Sequence, residues 1–188
     1  MVAISVNIVR GGDRQPVNAL LVGLSPKHIA DFEALWKAQL RQFSQDDKYW
    51  DWAFKQRLAD TRDNYEAYAV ECEGQAQGLM MLETQRYRAK FFSGQRIVYV
   101  ASLAVAPWNR KRVQRPPRFR TVGSVLLEFS RLRSVQLGYD GCVGLHSSPD
   151  AEGFYERCNM MRLDPDPDDF IDPDEKQLTY FEYSPLES

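Results

Sequence analysis

Apolar residues occupy every second position at the start of the chain, in the run MVAISVNIV, and this period of two predicts a strand. The next run, LSPKHIADFEALWKAQLRQF, has apolar residues at helical spacing, with Ser25 placed to cap the helix and Pro26 to begin it. A second helix is predicted in SQDDKYWDWAFKQRLAD, with Ser44 or Asp46 as its cap. The chain is therefore expected to open with one strand followed by two helices.

Three β-rich runs follow these helices. NYEAYAVEC and GLMMLETQRYR are joined by the short connection EGQAQ, which predicts a hairpin, and RIVYVASLAVA stops at Pro107. Helical spacing returns from about Val122 to Leu137, where Gly138 is expected to end the helix. The apolar face of this helix is predicted to consist of Val122, Val125, Leu126, Phe129 and Leu132.

The last elements are short: a strand in GCVGLHS, a helix in DAEGFYERCNM and a strand in QLTYFEYS. No internal repeat and no change in composition marks a domain boundary. The order of elements predicts an α/β fold with a mixed central β-sheet flanked by about four α-helices, in one domain spanning residues 1–188.

The charge of the chain is nearly balanced, with a net charge of −2 at pH 7, so a general nucleic-acid coat is disfavoured. No apolar run reaches the roughly 18 residues that a membrane helix needs, and the N-terminus has no basic leader. The three cysteines are odd in number and have no C-x-x-C spacing, which predicts neither a disulfide framework nor a zinc site. We expect a cytoplasmic protein that binds no membrane and no metal.

One segment is strongly basic. In RKRVQRPPRFRTVGSVLL, six of the first eleven residues are Arg or Lys, and the segment leads directly into a predicted helix. A helix N-terminus offers unpaired N–H donors and the positive end of the helix dipole, so this arrangement predicts a phosphate-bearing ligand. For the four cations at its start, a solvated loop is an equal alternative, and nucleic-acid binding is a weaker one because aromatic residues are few.

Part of this segment resembles a known motif. RFRTVGS resembles the Arg/Gln-x-x-Gly-x-Gly/Ala turn of the GNAT superfamily of acyl-CoA-dependent N-acyltransferases, in which backbone amides wrap the pyrophosphate of coenzyme A. In this comparison Arg118 takes the Arg/Gln position, Thr121 the first Gly and Gly123 the final Gly/Ala. The preceding SLAVAP resembles the strand whose backbone pairs with the pantetheine arm. The resemblance implies a set of coenzyme-binding residues: Leu103, Ala104, Val105, Arg118, Phe119, Arg120, Thr121, Val122, Gly123, Ser124 and Ser148.

A third stretch, SPDAEGFYERCNM, resembles the Asn-x-x-Ala-x-x-Phe-Tyr segment of the same family and matches Tyr155 to the tyrosine that faces the coenzyme sulfur. Ser148 stands where that family has Asn, and Asn159 where it has Gly. Thr121 also replaces a glycine, and because a β-branched residue resists positive φ, we expect a turn of different shape. The stretch WNRKRVQRPP lengthens the connection between the strand and the turn.

Transfer of an acyl group to an amine needs a neutral amine, and a lysine-like amine has a pKa of about 10.4 in water. The resemblance implies Tyr155 as the acid that protonates the leaving thiolate, and a strand amide at Ala104 or Val105 as the oxyanion donor. Two residues are candidates for the base, His146 and Glu83. The alternatives are a core role for His146, a surface charge at Glu83, helix packing for Tyr155, and an amine that binds already neutral.

The acidic stretch DPDPDDFIDPDE, residues 164–175, places carboxylates at the ligand positions of an EF-hand calcium loop. It lacks the glycine that such a loop requires, and its prolines stiffen the turn. We interpret it as a solvated acidic connection, with attraction of a cationic acceptor as the alternative.

The resemblance implies an enzyme that transfers an acyl group from acyl-CoA, most simply acetyl-CoA, to a primary amine by direct transfer in a ternary complex. Its partners would be the coenzyme A thioester and a cationic amine acceptor: a small molecule, a peptide or a protein lysine. Two alternatives stay open: a fatty-acyltransferase acting on lysine- or ornithine-like side chains of peptides, and a non-catalytic acyl-CoA sensor. The sequence leaves the oligomeric state open, a homodimer included.

Overall fold

The computed structural model describes residues 3–164 and 177–186. These residues divide into two compact units, one containing residues 3–81 and 102–128, the other residues 82–101 and the described residues from 129 onwards. We call them the first and the second unit. The expectation of one domain over the whole chain stays a prediction. The acidic stretch 164–175 lies, apart from its first residue, outside the described residues.

The described strands form a mixed sheet in the order β6-β1-β2-β3-β4-β5-β7-β9-β8. Its only parallel pairing among the described strand registers is that of β5 with β7. The mixed sheet predicted from the sequence is therefore confirmed. The strands are β1 (Ile4–Arg10), β2 (Pro16–Gly23), β3 (Tyr65–Cys72), β4 (Gln75–Glu83), β5 (Val98–Val105), β6 (Phe119–Arg120), β7 (Val143–Ser147), β8 (Met161–Leu163) and β9 (Thr179–Tyr183).

The helices agree with the predicted number of about four. Two of the helical segments are continuous, because α1 (Pro26–Asp31) passes through a π-helical turn, Phe32–Trp36, directly into α2 (Lys37–Gln42). Short 3₁₀ turns occur at Asp46–Tyr49 and Pro107–Asn109. No helix in the described part of the chain is long and apolar enough to cross a membrane. The helices are α1 (Pro26–Asp31), α2 (Lys37–Gln42), α3 (Trp52–Thr61), α4 (Val122–Gln136) and α5 (Glu152–Arg157).

The N-terminal segment differs from its prediction. Instead of one strand before the first helix, the chain forms an antiparallel hairpin in which Ile8 faces Val17 and Ile4 faces Leu21. The second strand, PVNALLVG, begins at a proline and mixes apolar with polar residues, so its period of two is weak. The turn that joins the strands begins with Gly11 and Gly12. The hairpin then extends through β3 by the pairing of Leu21 with Val70.

The helix starts are partly as predicted. Ser25 precedes α1 and Pro26 is its first residue, while the Nδ1 atom of His28 accepts the backbone N–H of Ser25 at 3.1 Å. Neither Ser44 nor Asp46 caps the next α-helix; that prediction is wrong. Asp51 caps α3, because its carboxylate accepts the N–H of Phe54 at 2.8 Å.

The first unit is built on an aromatic core. Phe32, Trp36, Leu40 and Trp52 are fully buried, and they pack with apolar residues of β3, β4 and the end of β5. In the run YWDWAF, Trp52 belongs to this core and Trp50 packs against it. Tyr49 is 81% exposed.

Two further predictions need correction. GLMMLETQRYR does not continue as a strand to its end, because β4 stops at Glu83. In α4 the predicted apolar position Leu132 is 54% exposed, while Leu127 and Ser134 are buried. The Ser134 hydroxyl donates to the carbonyl of Cys142 at 2.8 Å, which explains how a polar residue fits the buried face.

Candidate functional site

One residue of the turn before α4, in the first unit, has a backbone conformation that is typical of glycine. Thr121 has φ of 66°, in the left-handed region that favours glycine. Its hydroxyl donates to the carbonyl of Arg120 at 2.6 Å, and its carbonyl accepts the first helical N–H, from Val125, at 2.9 Å. Threonine at this position therefore does not prevent a positive φ, and the expectation of a turn of different shape stays a prediction. The chain instead tolerates strain of about 1–3 kcal/mol at this residue.

A glycine on the neighbouring strand lets α4 begin against the sheet. A Cβ added at Gly78 on β4 would lie 2.7 Å from Cγ1 of Val122 and 2.9 Å from Cδ1 of Leu126. Val122 is 2% exposed, so the first helical turn is firmly packed on its inner side. The outer side, at Ser124, is exposed. The N-terminal amides of α4 are thereby fixed on a well-packed helix with one side open to solvent.

These amides are the candidate anion-binding part of the site. The first N–H groups of a helix have no partner within the helix, and in α4 they belong to Val122, Gly123 and Ser124. α4 has 15 residues, so its dipole adds a partial positive charge at this end. The arrangement can hold a phosphate group by backbone N–H donors alone.

The long basic connection before this turn is closed at its base. The N–H of Arg118 donates to the carbonyl of Trp108 at 2.9 Å, and the N–H of Phe119 donates to Oδ1 of Asn109 at 2.9 Å. Asn109 also donates to the side-chain oxygen of Gln77 at 3.1 Å. Residues 110–117 therefore form a loop whose two ends meet, so the added length does not displace the turn.

The structure separates the cations of this segment into groups. Arg110 points inward: its Nη1 donates to Asp47 at 2.9 Å and to Gln45 at 3.2 Å, and its Nη2 also binds Asp47. The alternative of a solvated loop is therefore wrong for Arg110. Arg118 is engaged too, because its guanidinium binds Glu73 and donates to Gln75 at 3.1 Å.

The remaining cations of the segment are differently placed. Lys111, Arg112 and Arg115 are exposed, as a solvated loop predicts. Arg120 is half-buried, and its Nε has no hydrogen-bond partner among the described residues. The Nε of Arg115 donates to the carbonyl of Lys111 at 2.9 Å.

The end of β5 carries the residues that the resemblance matched to the pantetheine arm. Ala104 is buried, and Leu103 and Val105 are half-buried. The carbonyl of Val105 accepts two N–H groups from Arg110, at 3.0 Å from Nε and 2.7 Å from Nη2. A coenzyme arm pairing with this strand would therefore meet amides and the other carbonyls rather than a free carbonyl at Val105.

In the second unit, a polar cluster lies on one face of the sheet. The hydroxyl oxygen of Tyr99 on β5 and Nδ1 of His146 on β7 are 3.0 Å apart. Tyr180 lies directly opposite His146 in the pairing of β7 with β9, with ring centroids 5.1 Å apart. The ring of Tyr87 stacks on that of Tyr99, with the ring centroids 4.1 Å apart. His146 is exposed, so the alternative of a core histidine is wrong.

Partial burial and one nearby charge favour the neutral form of His146. Burial of part of the ring, and then the ammonium group of Lys90, lower the pKa of His146 below its ordinary value. Burial raises the pKa of Tyr99 to about 12, so this hydroxyl stays protonated at neutral pH. A neutral imidazole hydrogen-bonded to a protonated phenol can accept a proton from a bound amine.

A buried carboxylate, that of Glu182, binds Tyr180 of the cluster. Glu182 is fully buried and accepts the hydroxyl of Tyr180 and the backbone N–H of Lys90, the latter at 2.7 Å. Burial, followed by the hydrogen bond to Glu182, raises the pKa of Tyr180. A Cβ at Gly144 would lie 2.5 Å from the Tyr180 hydroxyl, so the absence of a side chain there makes room for it.

Glu83, the second candidate base, has a different environment. It is 1% exposed, so the alternative of a surface charge is wrong. Its carboxylate accepts the backbone N–H of Gln85 at 3.2 Å and that of Arg86 at 2.9 Å. Glu83 therefore ends β4 by turning the chain, and its oxygens are engaged by these backbone donors.

Tyr155 lies on α5 and is 7% exposed. The centroid of its ring lies 5.0 Å from that of Phe154 and 5.6 Å from that of Phe181. Burial raises the pKa of the Tyr155 hydroxyl. Phe181 alternates with Tyr180 along β9 and so faces the opposite side of the sheet. The structure thus gathers Tyr99, His146 and Tyr180 on one face, while Tyr155 packs against a residue of the other.

The segment around Tyr155 also keeps its expected backbone. Asn159, which replaces a glycine of the motif, has φ of 59°, a conformation that asparagine tolerates. Ser148 lies between β7 and α5, where its carbonyl accepts the N–H of Ala151 at 3.0 Å.

Sequence reasoning missed Tyr99, the partner of His146. The two residues are 47 positions apart, and only the parallel register that pairs Tyr99 with Gly144 brings them to the same face. The sequence shows Tyr99 within the third β-rich run, but it does not show that His146 lies next to Tyr99 in the sheet. Asn109 was missed for the same reason, since its partners lie on β4 and β6.

No protein-family model matches the sequence, and comparison with curated proteins gives no match. Solved structures do match. Ard1 from Thermoplasma volcanium has 18% sequence identity and a TM-score of 0.57, with 90% of this chain and 99% of Ard1 covered. The GNAT-family acetyltransferase from Streptococcus pneumoniae has 14% identity and a TM-score of 0.56, with 89% and 99% covered.

A third similar structure contains a ligand. Naa50 from Arabidopsis thaliana, in complex with the bisubstrate analogue CoA-Ac-MVNAL, has 16% identity and a TM-score of 0.54, with 89% of this chain and 99% of Naa50 covered. At these identities the similarity establishes the fold.

Proposed function

We propose that this chain, which has the fold of the GNAT acetyltransferases, is an acyl-CoA-dependent N-acyltransferase. Its simplest donor is acetyl-CoA, and its acceptor is a primary amine. The observation that carries the proposal is the turn at Thr121, where a strained residue holds the N-terminus of a long helix in a shape suited to phosphate.

In this proposal the amides of Val122, Gly123 and Ser124 bind the diphosphate of the coenzyme. Backbone donors suit a diphosphate because they are fixed by the helix and need no side-chain ordering. Leu103 and Ala104 pair with the pantetheine arm, and an amide of Ala104 or Val105 donates to the oxyanion that forms on the thioester carbonyl.

His146 acts as the base. The role requires a neutral ring whose Nδ1–H donates to the Tyr99 oxygen, because Nε2 then carries the lone pair that accepts a proton from the amine. The lowered pKa of His146 supports this role, since a base must be unprotonated at working pH. Tyr99 orients the ring. Glu83 is not part of this proposal, because backbone amides engage its carboxylate.

The chemical step is a direct transfer. The neutral amine nitrogen attacks the thioester carbon, the C–N bond forms as the C–S bond breaks, and the thiolate leaves. The amine loses its proton to His146, and the thiolate takes up a proton from solvent. Tyr155, the acid that the resemblance implies, packs against Phe181 on the other face of the sheet from His146 and is not part of this proposal. The products are an amide and coenzyme A.

The acceptor class is a primary amine of a peptide, a protein or a small molecule. The bisubstrate analogue in the Naa50 structure joins CoA through an acetyl group to a peptide, which makes peptides a reasonable first class to test. The test is incubation of the protein with acetyl-CoA and a panel of peptide, lysine, polyamine and aminoglycoside amines, followed by mass spectrometry of the products.

We expect a mass increase of one acetyl group on at least one acceptor, with the release of free thiol. The rate should fall by about a hundredfold or more in His146→Gln, since a general base contributes about 10²–10⁴. A matched control, His28→Gln, changes a buried histidine that bonds to Ser25 and Glu71, and it should retain the rate. Binding of acetyl-CoA without any product would favour the sensor, and failure to bind it would overturn the proposal.

A further inference from the structure

The connection between β4 and β5 brings a cation next to the candidate base. We call residues 85–96 of this connection the strap. It contains four cations and no acidic residue: Arg86, Arg88, Lys90 and Arg96. The strap belongs to the same unit as His146, and the proposed reaction gives none of its side chains a role.

The strap is fixed on the sheet at Lys90. The N–H of Ala89 donates to the carbonyl of Gln95 at 2.9 Å, which closes the strap into a narrow loop. The next two N–H groups, of Lys90 and Phe91, donate to the carboxylate of Glu182 at 2.7 Å and 3.3 Å. Glu182 lies on β9 and is fully buried. The backbone of Lys90 therefore has a defined position on β9.

The side chain of Lys90 lies close to His146. Its Nζ atom is 4.4 Å from the ring centroid of Tyr180, and that centroid is 5.1 Å from the centroid of the His146 ring. Lys90 is also the charge that, after partial burial of the ring, lowers the pKa of His146. The ammonium group and the candidate base thus both lie against one tyrosine ring.

The ammonium group of Lys90 is open to a ligand. Lys90 is exposed, and its Nζ forms no ion pair with a carboxylate of the described residues. Glu182 binds the backbone of Lys90 instead, and its carboxylate also accepts the hydroxyl of Tyr180. An exposed cation beside the base can pair with an anionic group of the molecule that brings its amine to the base.

We infer that Lys90 selects the acceptor, by binding a carboxylate of the molecule whose primary amine lies at His146. This inference rests on the proposed function, because it needs the amine at the base. The acceptor is then an amine that carries a carboxylate, as an amino acid or an acidic peptide does. A contact between ammonium and carboxylate is charge-assisted, whereas the further ammonium groups of a polyamine or an aminoglycoside would be repelled by Lys90.

The experiment measures kcat/KM with acetyl-CoA for two matched pairs of acceptors. One pair is γ-aminobutyrate and γ-aminobutyramide, and the other is the peptide amide Ala-Asp-Ala-Ala and its counterpart Ala-Asn-Ala-Ala. The site variants are Lys90→Gln and Lys90→Glu. The control variant, Arg157→Gln, removes one positive charge from an exposed position of the same unit, on α5. Each ratio is taken within one variant at one pH, so an effect of the substitution on the base cancels.

Wild type and Arg157→Gln should favour the carboxylate member of at least one pair by about threefold to fivefold, the upper range for an ion pair that solvent reaches. Lys90→Gln should abolish this preference, and Lys90→Glu should reverse it, because like charges then meet. A preference within the γ-aminobutyrate pair assigns the site to small amino acids, and one within the peptide pair assigns it to acidic peptides.

The same ratio in wild type and both Lys90 variants overturns the inference and leaves the proposed function standing. Acetylation of polyamines or aminoglycosides alone has the same consequence. Acetylation of no amine at all overturns both the inference and the proposed function.

Discussion

The hydroxyl oxygen of Tyr99 lies 3.0 Å from Nδ1 of His146, and this contact fixes the imidazole on the exposed face of β7. If Tyr99 orients the base, Tyr99→Phe should lower kcat by about twofold to tenfold, in line with one neutral hydrogen bond, and change the KM for acetyl-CoA little. Two-dimensional ¹⁵N NMR of the imidazole should show the proton on Nδ1 in wild type. A mostly Nε2-protonated ring would contradict this account of the base.

The pH dependence of kcat follows from the lowered pKa of His146. The ring is active when neutral, so kcat at saturating acetyl-CoA and amine should rise about tenfold per pH unit at low pH and level off at an inflection below 6.5. Lys90→Gln removes the charge that disfavours the protonated ring, so the inflection should move upward. Lys48→Gln, a control on another element, should leave the inflection in place. An unchanged inflection in His146→Gln would assign it to another group.

The ion pair of Arg110 with Asp47 should be important for stability. Both side chains are mostly buried, at 17% and 9% exposed, so Asp47→Ala leaves a guanidinium without its carboxylate. We expect the free energy of unfolding, measured by urea denaturation, to fall by about 3 kcal/mol.

A double-mutant cycle with Arg110→Gln should give a coupling of about 1–3 kcal/mol. The more exposed pair Glu33–Lys37, with 45% and 23% of the side chains exposed, serves as the control, where Glu33→Ala should lower stability by about 0.5 kcal/mol or less. Equal decreases in the free energy of unfolding at the two pairs would contradict a larger contribution from the buried pair Arg110–Asp47.

The strain at Thr121 can be relieved. Thr121→Gly removes the penalty of positive φ but adds entropy to the unfolded chain, so we expect a net gain in stability of up to about 1 kcal/mol in thermal and urea unfolding. Affinity for acetyl-CoA should stay within about threefold, because the backbone shape is kept. Asn159→Gly is the matched control and should gain less, since asparagine tolerates this conformation. A loss of stability in Thr121→Gly would mean that the turn carries no strain.

The sequence predicted well where the signal is local. The start of α4 at Val122, its end before Gly138 and the end of β5 before Pro107 all follow from residues next to one another. The hairpin at β1 and β2 was not predicted, because its second strand begins with proline and has no clear alternation. β4 was predicted too long, because the turn at Glu83 depends on a side chain accepting backbone N–H groups two and three residues later.

The candidate site was predicted in part for the same reason. The turn 118–124 is one continuous stretch, so its motif was readable. The partner of His146 and the inward turn of Arg110 depend on strand register and on Asp47, which is 63 residues away from Arg110. Such contacts are fixed by the tertiary fold and leave no local pattern.

The most direct measurement is a crystal structure of the protein grown with acetyl-CoA. The account predicts that diphosphate oxygens lie within hydrogen-bond distance of the backbone nitrogens of Val122, Gly123 and Ser124. A coenzyme bound elsewhere, with these three amides making no contact to it, would contradict the central claim.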